Sequence, residues 1–272
     1  MSIRSDIDTD VTADSQGWLK PQWPAPAAVR AICTTRLGGQ SQLPFDELNL
    51  ALHVGDRADH VHLNRTRLQA AIGARPVFLE QVHGVAHAPI TLDSQDGLRA
   101  DASSTTSTHL ACTVMVADCL PVLLCDARGR RVAAVHAGWR GLAAGVLEAA
   151  VLRFDGPYAD SKPYANELIA WLGPCIGPQA FEVGPDVRHA FVRDAPAAAA
   201  FFRPCEPGKW LADLAGLARQ RLHALGLQEI HGNDSSASWC TVGNPSRFFS
   251  HRRDGVGGGG TGRFAACVWR ID

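Results

Sequence analysis

Short apolar runs that end in polar, turn-forming residues dominate the middle of the chain. The run 110–116 is rich in β-branched residues and has the length of a buried strand. It leads directly into Ala117-Asp118-Cys119. Two further apolar runs, 122–125 and 131–135, are separated by a reverse-turn sequence, and the second delivers His136. The pattern predicts three strands, with a thiol and an imidazole placed where strands end.

Outside this central region the same patterns predict further elements. Helices are expected at 59–71, 142–154, 185–194 and 211–225, and strands at 29–35, 77–79, 167–172, 227–231 and 264–269. The stretch 142–152 is apolar on nearly every side, so we expect this helix to be buried on more than one face.

The strand predicted at 77–79 also ends near a possible ligand, His83, which stands beside a glycine. His83, Cys119 and His136 form a plausible His₂Cys set, and three protein ligands with an open fourth position are typical of catalytic zinc. The alternative is structural, because a cysteine beside apolar strands is usually a small buried hydrophobe. The position of these residues in loops at strand ends favours a functional site.

Charged residues near turns add candidates for catalysis and anion binding. Asp118 is either an orienting or general acid/base group, or an acid that caps its turn. Arg36, in a glycine-rich turn, is either a phosphate or carboxylate ligand or a solvated turn residue. Arg252, Arg253 and Arg263 form a cluster that either recognises phosphate in bidentate fashion or is an exposed charged surface.

The composition restricts the class of protein and of partner. The chain has 272 residues, of which 46% are hydrophobic, an ordinary fraction for a globular protein. A net charge of −1 gives no general attraction to nucleic acid or to an anionic membrane surface. No uninterrupted apolar run approaches the roughly 18 residues that a membrane span requires. We therefore expect neither nucleic acid nor membrane as a partner.

The N-terminal segment and the cysteines indicate the cellular setting. Residues 1–17 are predicted to be a disordered leader without the apolar core of a secretory signal, and residues 18–272 to form a single catalytic domain. None of the eight cysteines forms a C-x-x-C pair, which argues against a zinc ribbon or a thioredoxin-like motif. A reduced, cytoplasmic protein is expected.

Taken together, these segments resemble the bacterial multicopper polyphenol oxidase (laccase-like) family, whose members are also described as purine nucleoside phosphorylases and peptidoglycan editing factors. The resemblance runs from about residue 18 to the C-terminus. It is carried by Thr34-Thr35-Arg36, Leu48-Asn49-Leu50, Asn64-Arg65, Gln81-Val82-His83-Gly84, Ala100-Asp101-Ala102, Ala117-Asp118-Cys119-Leu120-Pro121, His136-Ala137-Gly138-Trp139-Arg140-Gly141, Gly173-Pro174-Cys175-Ile176-Gly177, Glu182-Val183-Gly184, Phe249-Ser250-His251-Arg252-Arg253 and Thr261-Gly262-Arg263. Two departures are His251, where the family often has Tyr, and the glycine run 257–260.

The resemblance implies an α/β fold, a four-layer sandwich with mixed β-sheets flanked by helices. It implies a zinc or copper ion on His83, Cys119 and His136. The implied activities are phosphorolysis of adenosine, inosine, guanosine and methylthioadenosine, adenosine deamination, and copper-dependent phenol oxidation. Purine nucleosides and phosphate are the implied partners, and the chain is expected to be a monomer or a homodimer.

A zinc-dependent purine nucleoside phosphorylase with adenosine deaminase side activity is the leading hypothesis. Its expected catalytic residues are Cys119, His136 and Asp118. The candidate phosphate ligands, chosen by charge and by motif membership, are Arg36, Arg65 and Arg252. Three alternatives stay open: a Cys–His hydrolase for peptidoglycan precursor editing, a copper-dependent polyphenol oxidase, and a protein in which a metal only fastens three strand ends together.

Overall fold

The computed structural model describes residues 11–13, 16–154, 167–255 and 260–272. Most of the predicted leader, 1–17, and most of the glycine run lie outside the described residues. Within that leader, Val11–Ala13 forms a strand that pairs antiparallel with Leu19–Pro21.

A seven-stranded mixed sheet forms one side of the molecule. In spatial order its strands are β1 (Val11–Ala13), β2 (Leu19–Pro21), β3 (Val29–Cys33), β16 (Phe264–Arg270), β8 (Leu110–Val116), β4 (Arg75–Glu80) and β6 (Leu98–Arg99). Strand β8 lies between β16 and β4. It is antiparallel to β16 and parallel to β4. The strands predicted from the apolar runs at 110–116 and 264–269 are thereby confirmed.

A second, six-stranded mixed sheet packs against the first. Its strands are β15 (Glu229–Gly232), β11 (Leu168–Leu172), β9 (Leu120–Asp126), β10 (Val132–Ala137), β7 (Ala102–Thr105) and β5 (His87–Pro89). A small third sheet contains β12 (Glu182–Val183), β14 (Lys209–Ala212) and β13 (Phe202–Glu206). Strands β9 and β10 form the antiparallel hairpin predicted from the two central apolar runs.

Six α-helices and several 3₁₀ turns complete the described structure. The helices are α1 (Ala58–Ile72), α2 (Trp139–Ala144), α3 (Val146–Val151), α4 (Pro185–Val192), α5 (Leu214–Ala224) and α6 (His251–Asp254). The 3₁₀ turns are Leu52–Val54, Leu152–Phe154, Pro196–Phe201 and Ala237–Trp239. Over the ranges that the structure covers, no helix combines the length and the apolar character needed to cross a bilayer.

Side chains that alternate along the strands divide the interior into three apolar layers. On β8, Met115 faces outward toward Leu68 of α1, whereas Val114 faces the gap between the two sheets. On the far face of the second sheet, Val135 belongs to the core formed with Leu147 of α3 and with α5. The order helix, sheet, sheet, helix is the four-layer α/β sandwich that the family resemblance implies.

Two predicted helices differ from those observed. The helix expected at 142–154 is divided in two, because Gly145 adopts a left-handed conformation (φ +100°) that ends α2. The helix expected to begin at residue 211 begins only at Leu214, where the Asp213 side chain caps it by accepting a hydrogen bond from the Gly216 amide. Leu211 instead pairs with Glu182 in the third sheet.

Candidate functional site

Three strand ends bring together the residues that the sequence proposes as metal ligands. His83 follows β4, Cys119 lies in the turn between β8 and β9, and His136 lies near the end of β10. One donor atom from each of the three lies within 4.8 Å of the others. The Cys119 Sγ is 3.7 Å from His83 Nε2, and the two imidazole rings meet edge to face with centroids 4.8 Å apart. Among the residues described, this is the one group of three or more such donors.

Asp101 is fully buried and forms hydrogen bonds with both histidines. Its Oδ1 accepts hydrogen bonds from the His83 amide (2.9 Å) and pairs with His136 Nδ1 (2.8 Å), while Oδ2 accepts from the Gly84 amide (2.7 Å). Because Nδ1 of His136 is occupied in this way, Nε2 is the nitrogen available to a metal. In the sequence, Asp101 is marked only by its place in the motif Ala100-Asp101-Ala102. Its position before a strand, among apolar residues, was the signal that it is buried.

The backbone at the trio has unusual conformations that only a fixed surrounding structure maintains. His83 and Asp118 have left-handed φ values of 59° and 91°, which cost about 1–3 kcal/mol each for residues other than glycine. Gly138 is needed for a steric reason. A Cβ at this position would lie 2.8 Å from His83 Cδ2 and 2.9 Å from Cys119 Sγ. The glycine therefore allows the two ligands to approach the start of α2.

The charges of the trio are strongly coupled. Burial raises the pKa of Cys119, but His136 and, to a smaller extent, His83 lower it by more than burial raises it, so that the pKa is about 6. Burial lowers the pKa of His136, but the Cys119 thiolate and the hydrogen bond to Asp101 raise it to about 9. In the metal-free site the thiol is therefore ionised at neutral pH and the imidazole is protonated.

The donor set fits a zinc ion. One thiolate and two imidazoles are zinc ligands, and three protein donors leave one position for a reactant. The contact of Asp101 with His136 is the type of outer hydrogen bond that orients a ligating histidine. The soft thiolate also suits copper, so the donor chemistry alone does not choose between the two metals.

A cavity of about 440 Å³ opens beside the trio, a volume within the range of small-ligand sites. Its lining combines aromatic and apolar side chains with several cationic ones. The lining residues are His53, Gln81, His83, Met115, Val116, Ala117, Asp118, Cys119, His136, Trp139, Arg140, Ile176, Phe181, Leu214, His251, Arg252 and Arg263. Asp118 is the one carboxylate among them, so the cavity favours anionic ligands.

The geometry agrees with comparisons of the whole chain. The model of the family described as multi-copper polyphenol oxidoreductase laccase matches residues 30–271. The chain belongs to this family. A Pseudomonas aeruginosa protein named purine nucleoside phosphorylase is 51% identical over 256 residues, which cover 94% of this chain and 99% of that protein. The Escherichia coli purine nucleoside phosphorylase YfiH is 49% identical over 255 residues, covering 92% and 98%.

Solved structures of similar proteins share the fold. The Neisseria meningitidis protein NMB0706 has a TM-score of 0.85 at 42% identity, and the match covers 94% of this chain and 99% of that one. YlmD of Geobacillus stearothermophilus has a TM-score of 0.86 at 29% identity, with 97% and 99% covered. The laccase-like family resemblance expected from the motifs is confirmed.

In this member of the laccase-like family, Asp118 joins the cavity wall to two distant loops. Its Oδ1 accepts a hydrogen bond from Thr241 Oγ1 (2.6 Å) and its Oδ2 accepts one from the Arg252 amide (2.6 Å). The Asp118 carbonyl also accepts a hydrogen bond from the Ile176 amide. Both side-chain oxygens are therefore engaged in positioning the loops around the site.

The structure separates the three arginines proposed as phosphate ligands. Arg252 lines the cavity, and its Nη2 donates to the Glu182 carbonyl. Arg36 instead forms an ion pair with Asp46, and Arg65 forms one with Asp96. Neither Arg36 nor Arg65 belongs to the cavity lining.

Arg140 and Arg263 also line the cavity. Arg263 belongs to the cluster of Arg252, Arg253 and Arg263 for which the sequence left phosphate recognition open, whereas Arg140 was not proposed as a phosphate ligand. Both belong to segments that carry the laccase-like family resemblance. Arg36 and Arg65 share both the charge and the motif membership, so neither signal in the sequence separates them from Arg140 and Arg263.

Proposed function

We propose that this chain is a zinc-dependent purine nucleoside phosphorylase whose residues 18–272 act as a single catalytic domain. The observation that carries the proposal is the opening of the His83, Cys119 and His136 trio into an arginine-lined cavity of about 440 Å³. Relatives that are 49–51% identical and bear the name purine nucleoside phosphorylase support it. Adenosine, inosine, guanosine and methylthioadenosine are the proposed nucleosides, and inorganic phosphate is the second substrate.

The trio supplies the charge and the orientation that the chemistry needs. A bound zinc ion would supply a Lewis acid with one exchangeable position, able to polarise a substrate oxygen or lower the pKa of a water. Asp101 holds the His136 ring in the tautomer that presents Nε2, and Gly138 leaves room for His83 and Cys119 to lie side by side. Asp118 fixes the position of the loops around the cavity relative to the trio by accepting hydrogen bonds from Thr241 and Arg252.

The cavity lining provides separate surfaces for the two substrates. Phe181, Ile176 and Leu214 present apolar and aromatic surface suited to a purine. Arg252 is a proposed phosphate ligand, since it lies in the lining and its charge forms no ion pair among the described residues. Phosphate binding by Arg36 and Arg65 stays an untested prediction. The ion pairs that these arginines form with Asp46 and Asp96 would have to open before either could reach phosphate.

Adenosine deamination belongs to the same proposal as a side activity, with water in place of phosphate at the trio. The catalytic roles proposed for Cys119, His136 and Asp118 follow from their positions at the cavity wall. Zinc, rather than copper, is the proposed resident metal. A reducing, cytoplasmic setting is also proposed, because oxidation of Cys119 would remove a ligand.

The test is a product assay with inosine and adenosine in the presence and absence of inorganic phosphate. The proposal expects ribose 1-phosphate and free base only when phosphate is present, and inosine plus ammonia as the minor products from adenosine. His83→Ala and Cys119→Ser should lose both activities and the metal. His62→Ala and Cys205→Ser, at exposed positions, serve as matched controls. Full activity in folded His83→Ala and Cys119→Ser would contradict the proposal.

A second candidate function is favoured by one observation. The lowered pKa of Cys119 and the raised pKa of His136 describe a thiolate–imidazolium pair that could act as a metal-free Cys–His hydrolase, as in peptidoglycan precursor editing. This candidate predicts turnover that survives a strong chelator and a stable adduct of Cys119 with iodoacetamide. The zinc proposal predicts that chelation abolishes turnover and that re-addition of zinc restores it.

Copper-dependent phenol oxidation is named in the family's description. Several coppers would need several donor clusters, and the described part of the chain contains one trio of suitable donors. Copper-loaded protein should therefore oxidise phenols slowly compared with zinc-dependent phosphorolysis of inosine, which a side-by-side assay measures.

A further inference from the structure

Arg263 lies beside the trio and, unlike Arg36 and Arg65, forms no ion pair with a carboxylate among the described residues. Its side chain lines the cavity, and Nη1 donates to the carbonyls of Thr261 (2.8 Å) and Gly262 (3.0 Å). In the parts of the chain that the structure describes, Nε and Nη2 have no hydrogen-bond partner and no carboxylate forms an ion pair with this guanidinium. Two of its nitrogens are therefore available to a ligand in the cavity.

An unpaired guanidinium that has lost part of its solvent is unfavourable unless an anion approaches it. Burial lowers the pKa of Arg263, and the nearby Cys119 and Asp118 raise it, although the net direction is downward. The group stays charged, because arginine is not deprotonated in proteins. Arg36 and Arg65, by contrast, each form an ion pair with an aspartate of their own.

The backbone of Arg263 is fixed before any ligand binds. Its amide donates to the Asn49 side chain (2.9 Å), and its carbonyl accepts from the Leu50 amide (3.0 Å). The preceding Gly262 packs so closely on Phe249 that a Cβ there would lie 2.6 Å from the ring. Little backbone entropy therefore remains to be lost when a ligand engages this arginine.

His53 also lines the cavity, close enough to Arg263 for the arginine charge to influence its pKa. Burial lowers the pKa of His53, and the positive charges of Arg263 and Arg65 lower it further. The imidazole is therefore neutral at pH 7 and carries one N–H that can donate to an anion. Arg140 and Arg252, in the same lining, add positive charge.

We propose that Arg263, assisted by His53, is the principal binding group for the inorganic phosphate substrate. The planar guanidinium suits bidentate contact with a tetrahedral oxyanion, and Nε with Nη2 forms the pair that remains open. This inference rests on the proposed phosphorylase function for its kinetic consequence. It makes Arg263, rather than Arg36 or Arg65, the arginine on which the phosphate requirement depends.

The experiment compares zinc-loaded wild type with Arg263→Gln, Arg263→Lys and the control Arg203→Gln, an exposed arginine of β13. KM is measured separately for phosphate and for inosine, the zinc content is determined, and binding of inorganic phosphate alone is followed by calorimetry. Arg263→Gln should raise the phosphate KM about tenfold to a hundredfold, the effect of losing charge-assisted hydrogen bonds. The inosine KM and the zinc content should change less than about threefold, as expected for a defect confined to the anion.

The remaining outcomes separate this inference from the function on which it rests. If phosphate binds to wild type and not to Arg263→Gln, but no nucleoside is cleaved, the anion site stands and the phosphorylase function fails. If wild type cleaves inosine and Arg263→Gln matches Arg203→Gln in phosphate KM, the inference is overturned. If Arg263→Gln does not fold, Arg263→Lys decides, since it retains the charge but not the bidentate contact and should weaken phosphate binding alone.

Discussion

Position determines the chemistry of the cysteines in the central part of the molecule. Two of them lie inside strands, and one lies in the turn that joins those strands. Cys112 of β8 and Cys125 of β9 lie between the two sheets, where burial raises the pKa of each thiol to about 12. Cys119 joins the same two strands, yet its pKa is about 6. The difference comes from His136 and His83 at the strand ends. Burial alone therefore makes an inert thiol here, and convergence with two imidazoles makes a ligand or nucleophile.

The largest effect that this comparison predicts concerns thiol reactivity after zinc is removed. At pH 7, pKa values of about 6 and 12 leave roughly nine-tenths of Cys119 but about one part in 10⁵ of Cys112 as thiolate. Iodoacetamide should modify Cys119 in a Cys205→Ser background, which lacks the exposed thiol, and leave Cys112 and Cys125 intact.

The pH dependence of that reaction follows from the sign of the shift. Because the pKa of Cys119 is lowered in the folded protein, its thiolate persists above pH 6 and is lost as the pH falls through about 6. Peptide mass spectrometry at several pH values should give a midpoint near 6, and added zinc should protect the thiol. A midpoint near 9 would contradict the coupling between Cys119 and the histidines.

A second prediction compares two buried carboxylates at opposite ends of the β9–β10 region. Asp101→Asn should weaken zinc binding about tenfold to a hundredfold, because the amide no longer supplies the negative charge that orients His136. Asp126→Asn is the matched control, since Asp126 bonds the amides of the turn at the far end of the hairpin. Competition with a chromophoric chelator measures both affinities, and equal losses would argue against a specific role for Asp101.

A smaller effect is expected from crowding the ligands. Gly138→Ala places a methyl group within 2.9 Å of Cys119 Sγ, and overpacking of this kind costs at least about 1 kcal/mol, equivalent to roughly fivefold in zinc affinity. Gly243→Ala is the control, because its Cβ would make an ordinary contact at 3.7 Å with Cys240. Unchanged zinc affinity in Gly138→Ala would show that the trio can move apart without cost.

The smallest effect on the metal is predicted for the thiols buried inside the strands. Cys125→Ser should lower the free energy of unfolding by about 1–3 kcal/mol, because it buries a hydroxyl between the sheets, while the zinc content stays that of wild type. Denaturant unfolding and metal analysis of one preparation measure both quantities. A loss of zinc in this variant would contradict the distinction between the thiols buried inside the strands and Cys119 in the turn.

The sequence predicted the parts of the fold in which local pattern and tertiary packing agree. The apolar runs that became β8, β9 and β10 are buried on both faces, so their pattern identified them. Short strands such as β5 (His87–Pro89) and β12 (Glu182–Val183) were not predicted, because partners far along the chain rather than their own residues create them. The break at Gly145 likewise depends on a backbone conformation that apolar periodicity does not encode.

The candidate site was predictable to a similar degree. His83, Cys119 and His136 stand beside turn residues at strand ends, and the structure brings their donor atoms together. The arginines were harder to assign, because Arg36, Arg65 and Arg263 have the same charge and all lie in family-like segments. Arg36 and Arg65 differ from Arg263 because they form ion pairs with Asp46 and Asp96. These ion pairs depend on the tertiary structure, so the sequence alone could not reveal them.

X-ray absorption at the zinc edge of untagged protein tests the central claim most directly, namely that three strand ends converge on one metal. The account predicts about one zinc per chain, with one sulfur at ~2.3 Å and nitrogen donors at ~2.0 Å, and loss of the sulfur contribution in Cys119→Ser. Stoichiometric zinc without a sulfur neighbour, or a sulfur contribution that persists in Cys119→Ser, would contradict it.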